Sequence, residues 1–328
     1  MSATAPTVLT PATLRGAERP TMYFVGVTTG GSLIMRVFGP WAELLGLGDC
    51  ELRGIDLPLG APAADYRAVV DLIAEDPPSR GALVTTHKLD LYAAARDRFA
   101  EVDAFGELMR EVSSIAKREH GLLGHAKDPI SSALALDAFV PAAHWRDAER
   151  DAVILGAGGA ATAIAYVLAT RPDGDRPARI VVTDVAQERL DGLARALAQV
   201  DGAAAVETVL VGGTAESDAL VEGARPGSLV VNATGLGKDG PGSPISDAAA
   251  FPQGALAWEL NYRGELRFLT QAREQAQTRG VVAEDGWTYF IHGWTQVIAE
   301  VFEVEIPTSG PRFDALVAAA DAVRGGAS

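Results

Sequence analysis

Three sets of residues carry side chains or backbone that can do chemistry. The first is the run from Asp151 to Tyr166, where the apolar stretch 152–155 meets Gly156, Ala157, Gly158, Gly159, Ala160 and Ala161. Gly156 permits a tight turn out of a strand. Gly158 lets the backbone approach a pyrophosphate. Ala161 is small where the following helix must pack closely on the strand. The helix start then presents unpaired N–H groups and the positive end of its dipole to phosphate. A bare G-x-G-x-x-A is weak, but here it follows an apolar strand and opens a small-residue helix, the context that gives the motif meaning. The second is Lys88, closing Val84-Thr85-Thr86-His87-Lys88, and the third is Asp128, just before Pro129. A lysine and a carboxylate can form a proton-transfer pair. Each has an ordinary reading as well: a solvated surface lysine, and an N-cap with proline at the first helical position.

A further carboxylate, Asp184, ends the strand expected over 179–183. There it can accept hydrogen bonds from an adenosine ribose 2′-OH and would repel a 2′-phosphate. The expected cofactor is therefore NAD rather than NADP, with Asp184 as the discriminating residue. The alternatives are that Asp184 only caps the next turn, or that Arg189 offsets it for a 2′-phosphate. The gap from Gly156 exceeds the usual ~20 residues, and the loop 171–178 (RPDGDRPA) absorbs the difference.

These residues need elements to hold them. After residue 150, strands are expected at 152–155, 179–183, 206–211, 228–232 and 256–260 with helices between, which implies a parallel sheet covered on both faces. Before residue 140 the pattern is mixed α/β. Strands are expected at 23–27, 51–57 and 82–86, helices from the turn after residue 27 to Leu47, over 63–75 and over 89–109, and a hairpin over 112–126 turning at His120-Gly121. The fold class is thus α/β, with an N-terminal α/β substrate domain and a C-terminal Rossmann-type dinucleotide-binding domain. The expected boundaries are a mobile tail over 1–20, the substrate domain over 21–140, the dinucleotide domain over 141–285, and helices over 286–328 that return to the substrate domain.

Composition narrows the function classes. A net charge of −15 argues against nucleic-acid backbones as partners. No window has the uncharged apolar length of a membrane span. The single cysteine, Cys50, forms no internal disulfide and builds no cysteine metal site. A cytoplasmic monomer or homodimer acting on a small molecule, with no metal, is the expectation.

Taken in order, the segments resemble the shikimate dehydrogenase family over roughly residues 22–305. The 156–161 run is the strongest part. Val84–Lys88 is similar to the family's N-V-T-x-P-x-K with one residue fewer, and Gly121–Asp128 to its G-x-x-x-G-x-N-T-D. Val231-Asn232-Ala233-Thr234-Gly235 is similar to I-N-A-T-S/P-x-G, Glu259–Tyr262 to D-x-x-Y, and the segment around Gln296 to M-L-x-x-Q-A. The resemblance implies hydride transfer between a nicotinamide and a ring carbon in a cleft between the domains. It implies Lys88 and Asp128 as the catalytic pair; His87, an imidazole whose ordinary pKa lies near neutrality, is a lesser rival on its own chemistry. The resemblance implies Ser32, Thr85, Ser113, Tyr262 and Gln296 at the substrate, and Asn232, Ala233, Thr234 and Gly235 with the 156–161 turn at the cofactor.

The substrate positions depart from the family. Aligning on Gly26 and Gly46-Leu47 puts Ser32 at the first serine of its Ser-x-Ser pair and Ile34 at the second. Leu83, Ser113 and Ala126 stand where it has asparagines. Each lost hydrogen bond to a substrate hydroxyl costs about 1–3 kcal/mol, so shikimate itself should bind poorly. Thr29, Ser113, His125 and Lys127 are candidates for replacement contacts. The expected substrate is another cyclic one: a quinate-like acid, an aminoshikimate or a cyclitol. The alternatives are shikimate dehydrogenase proper, a folate-type dehydrogenase, and a non-catalytic ligand sensor.

Overall fold

The computed structural model describes residues 8–238 and 240–326. The chain divides into two compact units, residues 1–127 with 293–328 and residues 128–292.

In the first unit the strands are β1 (Val8–Leu9), β2 (Thr21–Gly26), β3 (Glu51–Asp56), β4 (Ser79–Val84), β5 (Phe99–Val102), β6 (Ser114–Arg118) and β7 (Gly121–His125). Among the described residues they form one sheet in the order β1-β3-β2-β4-β6-β7-β5. β2 is parallel to both β3 and β4, and β6 runs antiparallel to β4 and β7. Every residue of β2 is buried, the continuous apolar run of a strand covered on both faces. The helices are α1 (Ile34–Leu45), α2 (Ala63–Glu75), α3 (Lys88–Ala95) and α4 (Ala104–Met109). α1 stops at Gly46, whose left-handed conformation (φ 69°) lets the Leu47 N–H close on the Ala42 carbonyl.

Two expectations need correction here. The tail expected over 1–20 becomes structure at Val8: β1 pairs in parallel with β3, Leu9 is fully buried in the core, and the Ala17 N–H donates to Asp76. A two-residue strand is too short to show a period, which is why its pattern read as a tail. Residues 1–7 lie outside the described residues. The single helix expected over 89–109 is broken by β5, where Phe99 and Val102 are buried and the strand pairs with β7.

In the second unit α5 (Asp128–Phe139) precedes β8 (Asp151–Leu155), α6 (Gly159–Ala169), β9 (Arg179–Asp184), α7 (Gln187–Leu197), β10 (Val206–Leu210), α8 (Thr214–Glu222) and β11 (Leu229–Asn232). Then follow β12 (Leu256–Glu259), α9 (Arg267–Glu274), α10 (Ala276–Arg279) and β13 (Val282–Glu284). The described strands form a parallel sheet in the order β10-β9-β8-β11-β12-β13. The order reverses at β8, the switch point where doubly wound sheets hold ligands outside the carboxyl ends of their strands. One core face joins Ile154, Ile164, Leu168, Val182 and Trp258, and includes Ala135 and Leu136 of α5. That packing places α5 in this unit, so the observed division falls at 127/128 and not at 140/141.

α11 (Trp287–Phe302) starts in the second unit and continues into the first. α12 (Pro311–Gly325) belongs to the first unit, where the Trp41 indole N–H donates to the Leu316 carbonyl at 2.8 Å. The segment expected as helices over 286–328 thus holds α11 and α12, with a break between Phe302 and Pro311.

Candidate functional site

The glycine turn lies at the carboxyl end of β8. Gly156 has φ 105°, and a Cβ there would stand 2.8 Å from the Ala233 carbonyl carbon. Glycine is therefore required twice, for the positive φ and for the close approach of the 232–235 loop. Among the described residues, nothing beyond its chain neighbours lies within 4 Å of the Cβ position at Gly158. α6 begins at Gly159, and no side chain among the described residues caps it. The first N–H groups of a helix have no partner within it. Ala161 is fully buried and joins Ala157, Ile154 and Val182 in the core, so its size sets how closely the helix approaches the sheet. Asp184, almost wholly buried, holds the turn from the next strand. Its Oδ2 accepts from the Ala157 N–H at 2.8 Å and its Oδ1 from the Ala186 N–H at 2.9 Å. Each carboxylate oxygen retains room for a second donor. The Arg189 guanidinium is 3.9 Å away and exposed.

The loop after β11 is braced by its own side chains. The Asn232 amide donates to Glu259 Oε2 at 2.7 Å, while its Oδ1 accepts from the Thr234 N–H and hydroxyl at 3.1 and 2.7 Å. The Asn261 N–H and side-chain amide both donate to Glu259 Oε1, at 2.9 and 2.7 Å. The Ala233 N–H donates to the Leu155 carbonyl. Asn232 and Thr234 thus shape the loop that seats Gly156. Glu259 is fully buried, and burial pushes its carboxyl up to about 7 although the three donors favour its charged form.

The sign follows from linkage. The unfolded carboxyl ionises near ~4.3, so the folded state binds more protons between that pH and about 7. Stability contributed by this group is full below ~4.3 and is lost as pH rises through the folded value, on the order of 3 kcal/mol in all. Glu259→Gln should flatten the decline. Its amide would face the Asn232 amide with no acceptor, costing about 1–3 kcal/mol at every pH. Thermal melts of both proteins from pH 4.5 to 8 check this; parallel pH profiles would refute it.

In the first unit, β2 and β4 are neighbours, and the segments that follow them carry Ser32 and Thr85. The Val84 N–H donates to the Ser113 carbonyl and the Thr85 N–H to that of Val25, so Thr85 and Ser113 share one end of the sheet. Lys88 is half-buried at the first position of α3. The preceding His87 is fully buried. Its Nε2 lies 3.0 Å from the Leu57 carbonyl, which can only accept, and its Nδ1 lies 3.0 Å from the Tyr66 hydroxyl. Burial holds its pKa below the usual imidazole range; Nε2 donates to the Leu57 carbonyl, and Nδ1 shares the Tyr66 hydroxyl with Asp90 Oδ2, 3.3 Å from that hydroxyl. Both nitrogens are engaged inside the fold, so His87 is a structural residue and not a rival acid–base group.

The groups offered as replacement substrate contacts are engaged as well. The Thr29 hydroxyl donates to Asp56 at 2.6 Å. Ser113 Oγ lies 3.3 Å from the His125 carbonyl as donor and accepts from the Lys127 N–H at 2.7 Å. The Thr85 hydroxyl donates to the Val25 carbonyl at 3.2 Å. Lys127 Nζ is 2.7 Å and His125 Nε2 3.4 Å from the Glu300 carboxylate. Ile34 and Ala126 are fully buried and Leu83 nearly so. Gln296 lines a cavity of about 390 Å³ with Arg118, Lys127 and Glu300.

The second unit brings together Gly156–Ala161, Asp184 and Asn232–Gly235. It also holds Asp128, almost wholly buried as the first residue of α5, and Tyr262, whose ring packs against Trp287 and Phe290. Ser32, Thr85, Lys88, Ser113 and Gln296 belong to the first unit. The bracing of the 232–235 loop by Glu259 was missed from sequence. Its signal was its place at the acidic position of the Glu259–Tyr262 segment, two residues before Asn261 at a strand end.

No family model matches the chain. It is 31% identical over 182 residues to the shikimate dehydrogenase (NADP(+)) of Streptococcus gordonii, a match spanning 53% of this chain and 58% of that protein. The chain thus matches less than two thirds of that relative's length. Among solved structures, shikimate 5-dehydrogenase from Thermus thermophilus in complex with NADP(H) and shikimate superposes with TM-score 0.65 at 22% identity, covering 91% of this chain and 99% of that one. Quinate dehydrogenase from Corynebacterium glutamicum in complex with NAD superposes with TM-score 0.66 at 20% identity, covering 92% and 99%. At these identities the superpositions establish a shared fold.

Proposed function

We propose that this divergent relative of the shikimate dehydrogenases is a nicotinamide-dependent oxidoreductase that interconverts a secondary alcohol and a ketone on a cyclic substrate. The observation that carries the reading is the glycine turn. Among the described residues it is open at Gly158, runs into an uncapped helix start and is held from below by a buried carboxylate, an arrangement suited to a pyrophosphate and an adenosine ribose. A bound nicotinamide supplies the hydride chemistry. Lys88 hands a proton to the forming alkoxide in reduction and removes it in oxidation, with Asp128 as its carboxylate partner, roles assigned by the resemblance.

NAD is the preferred cofactor. The two oxygens of Asp184 can each take a ribose hydroxyl beside their backbone donor, and the negative charge repels a 2′-phosphate. Val185 and Leu210, both exposed at the carboxyl ends of adjacent strands, offer an apolar shelf for adenine. The expected result is a Michaelis constant for NADH at least about tenfold below that for NADPH, one tenfold step being ~1.4 kcal/mol of discrimination. A preference for NADPH would assign Arg189 the decisive role instead.

The substrate presents fewer hydroxyls than shikimate does to the positions of Leu83, Ser113 and Ala126. The hydroxyls of Thr29, Thr85 and Ser113 already donate within the fold, and the family's asparagine positions hold Leu83, Ser113 and Ala126. Substrate hydroxyls facing these positions would lose partners at about 1–3 kcal/mol each. A spectrophotometric screen of cyclic alcohols with NAD, including shikimate, quinate, aminoshikimates and cyclitols, tests the reading. Efficient turnover of shikimate would overturn the substrate assignment. The same engaged hydroxyls favour a second reading, a ligand sensor, and a blank screen beside tight binding of a ring acid would support it.

A further inference from the structure

One charged cluster in the first unit has no part in the chemistry above. α11 presents Gln296, Glu300 and Glu303 at spacings of four and three residues, which places them on one helix face. Opposite stand Arg118 at the end of β6, His125 at the end of β7, and Lys127. Lys127 Nζ reaches Glu300 Oε2 at 2.7 Å, and His125 Nε2 lies 3.4 Å from Oε1. Arg118 donates to the Glu300 carbonyl at 2.6 Å and lies 3.4 Å from the Glu303 carboxylate. The side chains of Lys127 and Glu300 are only 12% and 26% exposed, so the pair is shielded from the screening that makes open surface pairs nearly worthless. The Lys127 N–H is tied to Ser113 Oγ. One residue thus joins three segments: the start of β6, the end of β7 and the face of α11.

We infer that Glu300 is a positioning residue for substrate recognition, latching α11 to the β6–β7 hairpin through Lys127 so that Gln296, one turn earlier, is held at a fixed depth beside the shared cavity. The inference rests on the reading that Gln296 contacts the substrate. Glu300 acts through the helix it anchors, by its ion pair with Lys127.

The test compares wild type, Glu300→Gln, Lys127→Met and the double variant. Expected for Glu300→Gln is a rise of about tenfold in KM for the cyclic substrate, in the range of couplings between contacting residues. kcat should stay within about twofold, and the NADH dissociation constant should not change. The double variant should be no worse than Glu300→Gln alone. An unaltered KM, even with a lowered melting temperature, would reduce the cluster to a stabilising one and overturn the inference, as would additive effects of the two substitutions. If wild type turns over no ring substrate, the functional reading fails separately. The latch is then read by amide hydrogen exchange over 121–127 and 293–302, where faster exchange in Glu300→Gln sustains it and unaltered exchange removes it.

Discussion

Lys88→Ala is expected to lower turnover by about 10²–10⁴, the usual worth of a positioned general acid–base group, while leaving the dinucleotide dissociation constant near that of wild type. The separation follows from the fold: Lys88 belongs to the first unit and the glycine turn to the second. Retained turnover would move the proton elsewhere, but not to His87. That ring is buried, with Nε2 on the Leu57 carbonyl and Nδ1 on the Tyr66 hydroxyl, so it can exchange a proton only by breaking buried hydrogen bonds. Replacing His87 should therefore lower the melting temperature rather than alter the pH profile of turnover. Steady-state kinetics with fluorescence titration of NADH distinguish these cases.

Gly156→Ala is expected to abolish measurable dinucleotide binding and to destabilise the second unit by on the order of 2–4 kcal/mol, from a positive φ that alanine resists and from overpacking against backbone. The added methyl would meet the Ala233 carbonyl at 2.8 Å and the Thr234 nitrogen at 3.0 Å. That loop cannot yield freely, because Asn232, Glu259 and Asn261 brace it. Gly158→Ala is the contrast. Among the described residues nothing within 4 Å opposes its Cβ, so the fold should tolerate it and any loss should fall on phosphate binding. Equal stability of the Gly156 variant and wild type in denaturant melts would contradict the packing described.

Much of this was legible from local pattern. The strand, turn and helix around Gly156 follow from a short apolar run, glycines where backbone must bend sharply, and small residues where a helix must lie close. The parallel sheet of the second unit follows from strand–helix alternation, and Asp184 from its place at a strand end. Short or interrupted elements were harder. β1 is two residues long, and β5 lies inside a stretch that otherwise reads as helix, so neither offers a full period to recognise.

The side-chain chemistry divides along the same line. Residue type and order determined by themselves that a turn at Gly156–Ala161 suits a dinucleotide and that Asp184 ends the next strand; that Leu83, Ser113 and Ala126 stand where the resembled family has asparagines came from the resemblance. Whether a polar group is available or already engaged was decided only by the tertiary structure. His87 is silenced by a carbonyl 30 residues away, and Lys127 is held by a carboxylate 173 residues further along the chain. The physical reason is the range of the forces concerned. Backbone conformation and hydrophobic period are properties of neighbours in sequence, whereas a hydrogen bond requires two atoms within about 3 Å, and only the folded chain brings such distant partners that close.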